Sequence, residues 1–438
     1  MTHTWVGIVA AAIGLGVMIL VHEWGHFVVA RLCGVRVEVF SIGFGNRIFG
    51  WKRNGTDYRL AVFPFGGYVK MAGENPAEER TGAPDEFLSQ ARWKRLLIIL
   101  AGPFMNFVLA VVLMWGLYIA GVPVPSYFHQ SAQVAAVIPN SSAEKAGVKV
   151  GDKIVAIDGS KISNWDEALS NTSILPGSSL SLTIERNGRT VPLKEIVPQS
   201  PTDGCDVLGC PKERVVVDAV MRGDPAAIAG LKPGDEITSV NGDTVTSRDL
   251  LSYVVTQSGG KPVTMGVVRD GKGLSFTVKP AYIDLGDGGG KRWAIGVGYG
   301  MADTVRESYP FFEAGQQAWE KNVDLSGQIL SFVGGLFSGR FSLKDAAGPV
   351  GIVKISVQEA RLGVAQFITF MAFLSINLGI LNLLPIPILD GGHVLMLAIE
   401  GTLRRELSVA VKERFLTAGL IFLLTVIGFV TYFDILRH

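Results

Sequence analysis

Apolar and polar positions divide this chain of 438 residues into stretches of different period and length. Residues 6–20 are apolar and uncharged, and 27–30 continue the run after a short polar interruption. Residues 1–33 therefore predict a first helix able to cross a bilayer, which takes about 20 apolar residues. Residues 94–122, 364–391 and 415–433 predict three more spans. Between 34 and 75 the period falls to two: Val35, Val37 and Val39 alternate with Arg36 and Glu38, and Tyr58, Leu60 and Val62 repeat the pattern. Gly43-Phe44-Gly45, Asn54-Gly55 and Gly66-Gly67 punctuate it as turns, which predicts a small membrane-associated β-sheet. That sheet is either an ordinary hairpin or an edge that receives an extended peptide by backbone pairing. Over 305–340, Phe312, Trp319, Val323, Leu330 and Val333 recur at helical spacing opposite Gln316, Glu320, Lys321 and Asp324. The pattern suits a helix lying along a membrane surface, or a soluble core helix.

Charge orients these spans. Arg31, Arg36, Arg47, Lys52 and Arg53 follow the first one, and Arg404, Arg405, Lys412 and Arg414 lie between the third and fourth. By the positive-inside rule both loops face the cytoplasm, so the N-terminus and the long segment between the second and third spans face outward. No Lys or Arg precedes the first apolar run, which argues against a cleavable signal peptide. The net charge of +1 gives no argument for nucleic acid; membrane lipid is the expected surroundings. Cys205 and Cys210 lack the spacing of a redox or zinc motif, and are either a local disulfide or two unpaired thiols.

The outward segment repeats. Ala146-Gly147-Val148 with Gly151-Asp152 recurs as Ala229-Gly230-Leu231 with Gly234-Asp235, and Arg186-Asn187-Gly188 as Arg269-Asp270-Gly271, each at an offset of 83 residues. The repeated pattern resembles PDZ domains as a tandem pair, at 131–198 and 214–283, joined by a linker containing Pro201, Gly204 and Pro211. PDZ domains bind peptides along a sheet edge. Neither copy shows the G-L-G-F-type carboxylate loop, so capture of a chain terminus and simple steric obstruction both remain open.

The chemistry sits in the first and third spans. Val21-His22-Glu23-Trp24-Gly25-His26 contains H-E-x-x-H, which on a helix turns two imidazoles to one face and sets a carboxylate beside them as a general base. Ionisable residues at membrane depth cost roughly 2.5–3.5 kcal/mol each and are functional candidates by default. In the third span Pro385 and Pro387 break the helix, and Asp390 follows. Asp390 is either a helix N-cap or, since both spans run outside to inside, a third ligand at the depth of His22 and His26. Two histidines and a carboxylate leave the fourth position of a zinc ion open, as catalysis requires. A PDZ-bearing scaffold or chaperone with a structural metal is the rival, but structural zinc usually takes four protein ligands.

H-E-x-x-H in the first span, N-x-x-P-x-P-x-L-D-G over Asn382 to Gly391, Gly348-Pro349-Val350-Gly351-Ile352 before the third span, and the tandem repeat between together resemble the site-2 protease family across essentially the whole chain. The resemblance implies an intramembrane zinc metalloprotease with four transmembrane helices, a membrane-associated β-sheet and two periplasmic α+β PDZ domains. It implies location in the bacterial inner membrane, with the active site toward the cytoplasm, and cleavage of single-span membrane proteins such as anti-sigma factors already trimmed outside, in envelope stress signalling. It implies Zn2+ held by His22, His26 and Asp390, Glu23 as base, and Asn382 near the substrate backbone.

Overall fold

The computed structural model describes residues 2–75, 82–172, 179–193, 196, 204–220, 223–284, 291–301, 303–338 and 348–437; Pro201 of the linker and the end of the 305–340 segment lie outside them. The chain forms two compact units, one from residues 1–122, 308–334 and 342–436, the other chiefly from 123–307.

Four helices of the first unit are long and apolar enough to cross a membrane: α1 (Thr2–Leu32), α2 (Arg92–Ala120), α5 (Val364–Leu383) and α7 (Val409–Arg437). Their outer faces carry exposed Ile13, Phe104 and Phe422, an apolar surface that suits lipid. Helix α2 stops at Ala120 because Gly121 takes φ 90°, so Val122, read from sequence as the end of the span, begins a strand instead. At the centre α2 packs on α1 and α5, with Ala110, Met114, Ala372 and Ile376 buried between. Small residues allow the approach: a Cβ on Gly25 would lie 2.4 Å from the Ala101 carbonyl oxygen.

The sheet after α1 is made by β1 (Val37–Arg53) and β2 (Thr56–Met71). Asn54 and Gly55, both at positive φ, join them in a tight turn. Each also doubles back on itself. Residues 39–42 pair with 67–70 on one side and with 57–60 on the other, while 47–53 pair with 56–61. Gly43, Gly45 and Gly66, at φ 89°, 94° and 112°, lie where the register shifts. Residues 67–71 are thereby the outer strand, with partners on one side only among the described residues.

Helix α3 (Phe311–Phe337) exposes Phe312, Trp319, Val323 and Leu330, and buries Ala318 and Ile329 with Met114 and Leu117. Beyond it α4 (Pro349–Leu362) precedes α5. The backbone amide of Gly351 donates to Asp434 of α7 at 2.7 Å, and a Cβ on Gly348 or Gly351 would come within 2.8 Å of that carboxylate. Within the segment 364–391 the helix ends at Leu383, ahead of the two prolines, and a turn leads to α6 (Asp390–Leu403). Pro385 and Pro387 cannot supply ladder amides, and Ile388 is forced to φ 83°, a strained position for a β-branched residue.

In the second unit the 83-residue repeat is a repeat of structure. Strands Ser160–Lys161, Lys153–Ile157, Leu182–Arg186 and Arg189–Pro192 lie in the same order as Asp243–Thr244, Glu236–Val240, Val263–Arg269 and Lys272–Val278. The cores correspond: Ala132, Val134, Val148, Ile154, Ile157 and Leu182 in one, Val215, Val217, Leu231, Ile237, Val240 and Met265 in the other. A glycine turn closes each copy, Leu208-Gly209-Cys210 and Ile295-Gly296-Val297, with φ 78° and 73° at the glycines. Cys210 then bridges Ala136, and Val297 pairs with Val220. Cys205 and Cys210 are joined as a disulfide, packed with Ala136, Ile138, Leu250 and Tyr253.

Candidate metal centre

His22 and His26 stand one helical turn apart on α1, 8% and 9% exposed, with Nε2 atoms 3.3 Å from each other. Asp390, the first residue of α6, faces both: Oδ2 lies 3.2 Å from His22 Nε2 and Oδ1 lies 3.5 Å from His26 Nε2. The residue acts as no helix cap, since Leu389 holds the N-cap position. Two close approaches bring these elements together. A Cβ on Gly102 would sit 2.2 Å from His26 Nε2, so α2 can meet the imidazole only through glycine. A Cβ on Gly391 would meet the Leu384 carbonyl oxygen at 2.2 Å, and one on Gly392 the Ile386 carbonyl oxygen at 2.3 Å. Glycines there let the turn of 384–389 fold onto the start of α6 and carry Asp390 inward.

These atoms suit a metal better than one another. Ligands on a tetrahedral zinc at about 2.0–2.1 Å would be separated by roughly 3.3–3.4 Å, close to the distances found. Asp390 Oδ2 is buried yet makes no hydrogen bond of good geometry, although His22 Nε2 is near. The Nδ1 atom of His26 lies 2.8 Å from the Ile98 carbonyl oxygen and donates to it, which leaves Nε2 as a lone pair. Among the described residues His22, His26 and Asp390 form the group of three whose ligand atoms lie within 4.8 Å of one another.

The three line a cavity of about 450 Å3 together with Glu23, Asn382 and Tyr68. Glu23 is half-buried beside the outer strand of the sheet: a Cβ on Gly67 would stand 3.3 Å from its Cγ. Every residue singled out from the sequence thus borders one cavity. Sequence reasoning missed two further features of this unit. Asn106 of α2 is fully buried with its side-chain amide 3.1 Å from His22 Nδ1. Arg95, Glu400 and Lys412 form a buried ionic cluster lining the same cavity. A polar residue inside an apolar span was the signal for Asn106, but its partner, 84 positions away, was not readable.

The profile described as peptidase family M50 matches residues 10–426. The chain is 34% identical to the regulator of sigma-E protease RseP of Escherichia coli over 97% of both chains, and 33% identical to that of Salmonella typhimurium over 98%. A relative from Neisseria meningitidis, 32% identical over 99% of both, carries zinc metalloprotease in its name. Histidines and a carboxylate gathered in apolar helices, and likeness along nearly the full length, lead to one conclusion: the chain belongs to peptidase family M50, the site-2 proteases, as a multi-pass membrane zinc metalloprotease.

Proposed function

We propose that His22, His26 and Asp390 hold the zinc ion and that Glu23 is the general base in cleavage of single-span membrane proteins. The observation that carries this is the convergence of two imidazole Nε2 atoms and one carboxylate on a single point beside Glu23. Bound zinc supplies Lewis acidity that makes water a nucleophile at neutral pH. With zinc held there, Glu23 would be the group that accepts a proton from the attacking water and gives it to the leaving amine nitrogen. A transmembrane helix hides its peptide bonds, so the substrate must be unwound first. The outer strand 67–71, next to Glu23, pairs within the sheet on one side and turns its other edge to an extended segment, and Asn382, which lines the same cavity, hydrogen-bonds that segment's backbone.

The relatives named regulator of sigma-E protease support an anti-sigma factor as the substrate class. The distribution of Lys and Arg supports the second unit outside and the metal centre toward the cytoplasm, and the Cys205–Cys210 disulfide suits an oxidising compartment. We read the two repeats as PDZ domains that exclude substrates with bulky outer domains; their glycine turns also leave room for peptide capture. The test is co-expression of the wild type and Glu23→Gln with single-span proteins of intact or truncated outer domain. Cleavage of truncated substrates by the wild type alone is expected, and full proteolysis by Glu23→Gln would sink the assignment. Deleting residues 131–282 should admit intact substrates; continued rejection of them would rule out size exclusion.

A further inference from the structure

To bind a metal through Nε2, an imidazole must carry its ring proton on Nδ1. For His26 the Ile98 carbonyl, which can only accept, enforces that tautomer. Among the described residues His22 has no backbone carbonyl in the equivalent place. Its Nδ1 meets the side chain of Asn106 at 3.1 Å, and the amide end facing it is Nδ2, while Oδ1 is buried with no hydrogen-bond partner among the described residues. In that orientation Nδ2–H donates to Nδ1, the ring proton moves to Nε2, and the lone pair needed for the metal is lost. The two ends of a carboxamide have the same shape, and the hydrogen-bond network decides between them. Turning the amide over sets Oδ1 against an Nδ1–H and frees Nε2 to face Asp390 and His26 as an acceptor.

We propose that Asn106 accepts the His22 Nδ1–H through its amide oxygen and is the positioning residue that holds His22 in its metal-binding tautomer. The inference rests on the zinc reading above. It gives the two histidines the same support from one helix, a backbone carbonyl of α2 for His26 and a side-chain carbonyl of α2 for His22. The joint between α2 and α5 at this level does not depend on the amide, because Ser375 Oγ donates to the Asn106 backbone oxygen at 2.9 Å. Replacing the side chain therefore tests the hydrogen bond more than the packing.

The experiment is zinc titration of purified full-length protein in detergent against a chromophoric chelator, with thermal melting as a check on folding. Asn106→Leu keeps the volume and removes the acceptor, and should weaken zinc binding by about 10–100-fold. Asn106→Asp keeps an acceptor and removes the donor, and should hold zinc at least as tightly as the wild type. Asn106→Leu binding zinc as the wild type does would overturn the proposal. So would a folded Asn106→Asp as weak as Asn106→Leu, since the group needed would then be the amide donor. If Asn106→Leu does not fold, Asn106→Asp against the wild type decides alone, retained affinity supporting the proposal and lost affinity overturning it. A wild type that takes up no zinc would fail the reading of the whole site, a result distinct from tight zinc with an indifferent Asn106.

Discussion

His22, His26 and Asp390 line the membrane unit's cavity at one place, and Arg95, Glu400 and Lys412 line it at another. Both groups are buried except for the half-buried Asp390, and both join helices that are distant in sequence. Their internal chemistry differs. In the second, Lys412 Nζ lies 2.7 Å from Glu400 Oε1, which also accepts the Leu407 amide at 3.1 Å, and Arg95 Nη1 approaches Glu400 Oε2 at 4.0 Å. Cations there face an anion, and Lys412 and the Leu407 amide both donate to Glu400. In the first, two Nε2 atoms and a carboxylate meet with no donor among them once both histidines carry their proton on Nδ1, and Asp390 Oδ2 is left without a well-formed hydrogen bond. Acceptors that converge with nothing to accept from describe a cation site; a pair that satisfies itself describes a joint.

The sharpest way to break this comparison is to remove groups from the first cluster. Glu23→Gln should keep zinc, measured by metal analysis of purified protein, and lower cleavage by about 10²–10⁴-fold. His22→Ala, His26→Ala or Asp390→Ala should lose the metal and the activity together. Retention of stoichiometric zinc by Asp390→Ala would show that the carboxylate belongs to a joint after all.

Removing one partner from the second cluster should act on folding. Lys412→Met leaves the Glu400 carboxylate, 2% exposed, with the more distant Arg95 as its remaining cation among the described residues. A loss of about 3–5 kcal/mol is expected, read from thermal or denaturant unfolding in detergent. Zinc per folded molecule should be unchanged. Replacing Glu400 and Lys412 together by Gln and Met should cost less than Lys412→Met alone, because no buried charge is then stranded.

How much of this was legible in sequence follows from the same physics. H-E-x-x-H is local: four residues on one helix set both imidazoles, so His22, Glu23 and His26 could be read directly. Asp390 needed a second inference, that two spans running the same way bring their polar ends to one depth. The helix break at Pro385 was readable from the proline, but the return of the chain into α6 at Asp390 was not, since it depends on Gly391 and Gly392 fitting against carbonyl oxygens. Lys412 looked like a loop charge orienting the spans, and only its tertiary approach to Glu400, which Arg95 also faces, shows it buried. The 83-residue offset predicted two alike domains, yet their closing glycine turns escaped notice because nothing in a linear pattern says which strand a turn will feed.

The smallest effect comes from carrying the comparison outside the membrane unit. Asp235 is fully buried and accepts from Arg269 through Nε at 2.6 Å and Nη2 at 2.7 Å, with the Lys232 amide at 2.8 Å. The first copy repeats the pair, Arg186 donating to Asp152 at 2.7 Å from both atoms. These are self-satisfied joints of the second kind. The Arg269 hydrogen bonds, against the opposing effect of burial, hold the Asp235 carboxyl below its ordinary value. A carboxyl depressed in the folded state contributes stability that is complete above its unfolded value of about 3.9 and is lost as pH falls through the folded one. Arg269→Met should therefore lower the stability of the second copy at neutral pH, read as faster hydrogen exchange of the strand Glu236–Val240. The difference from the wild type should hold steady down to about pH 4–5 and shrink below that, as protonation of Asp235 dismantles the same pair in the wild type. Arg186→Met should open the first copy and leave exchange in Glu236–Val240 unchanged. A difference between Arg269→Met and wild type that persisted undiminished in acid would mean that Arg269 stabilises through packing, as its placement 5.1 Å above the Phe276 ring would allow, and not through the Asp235 charge.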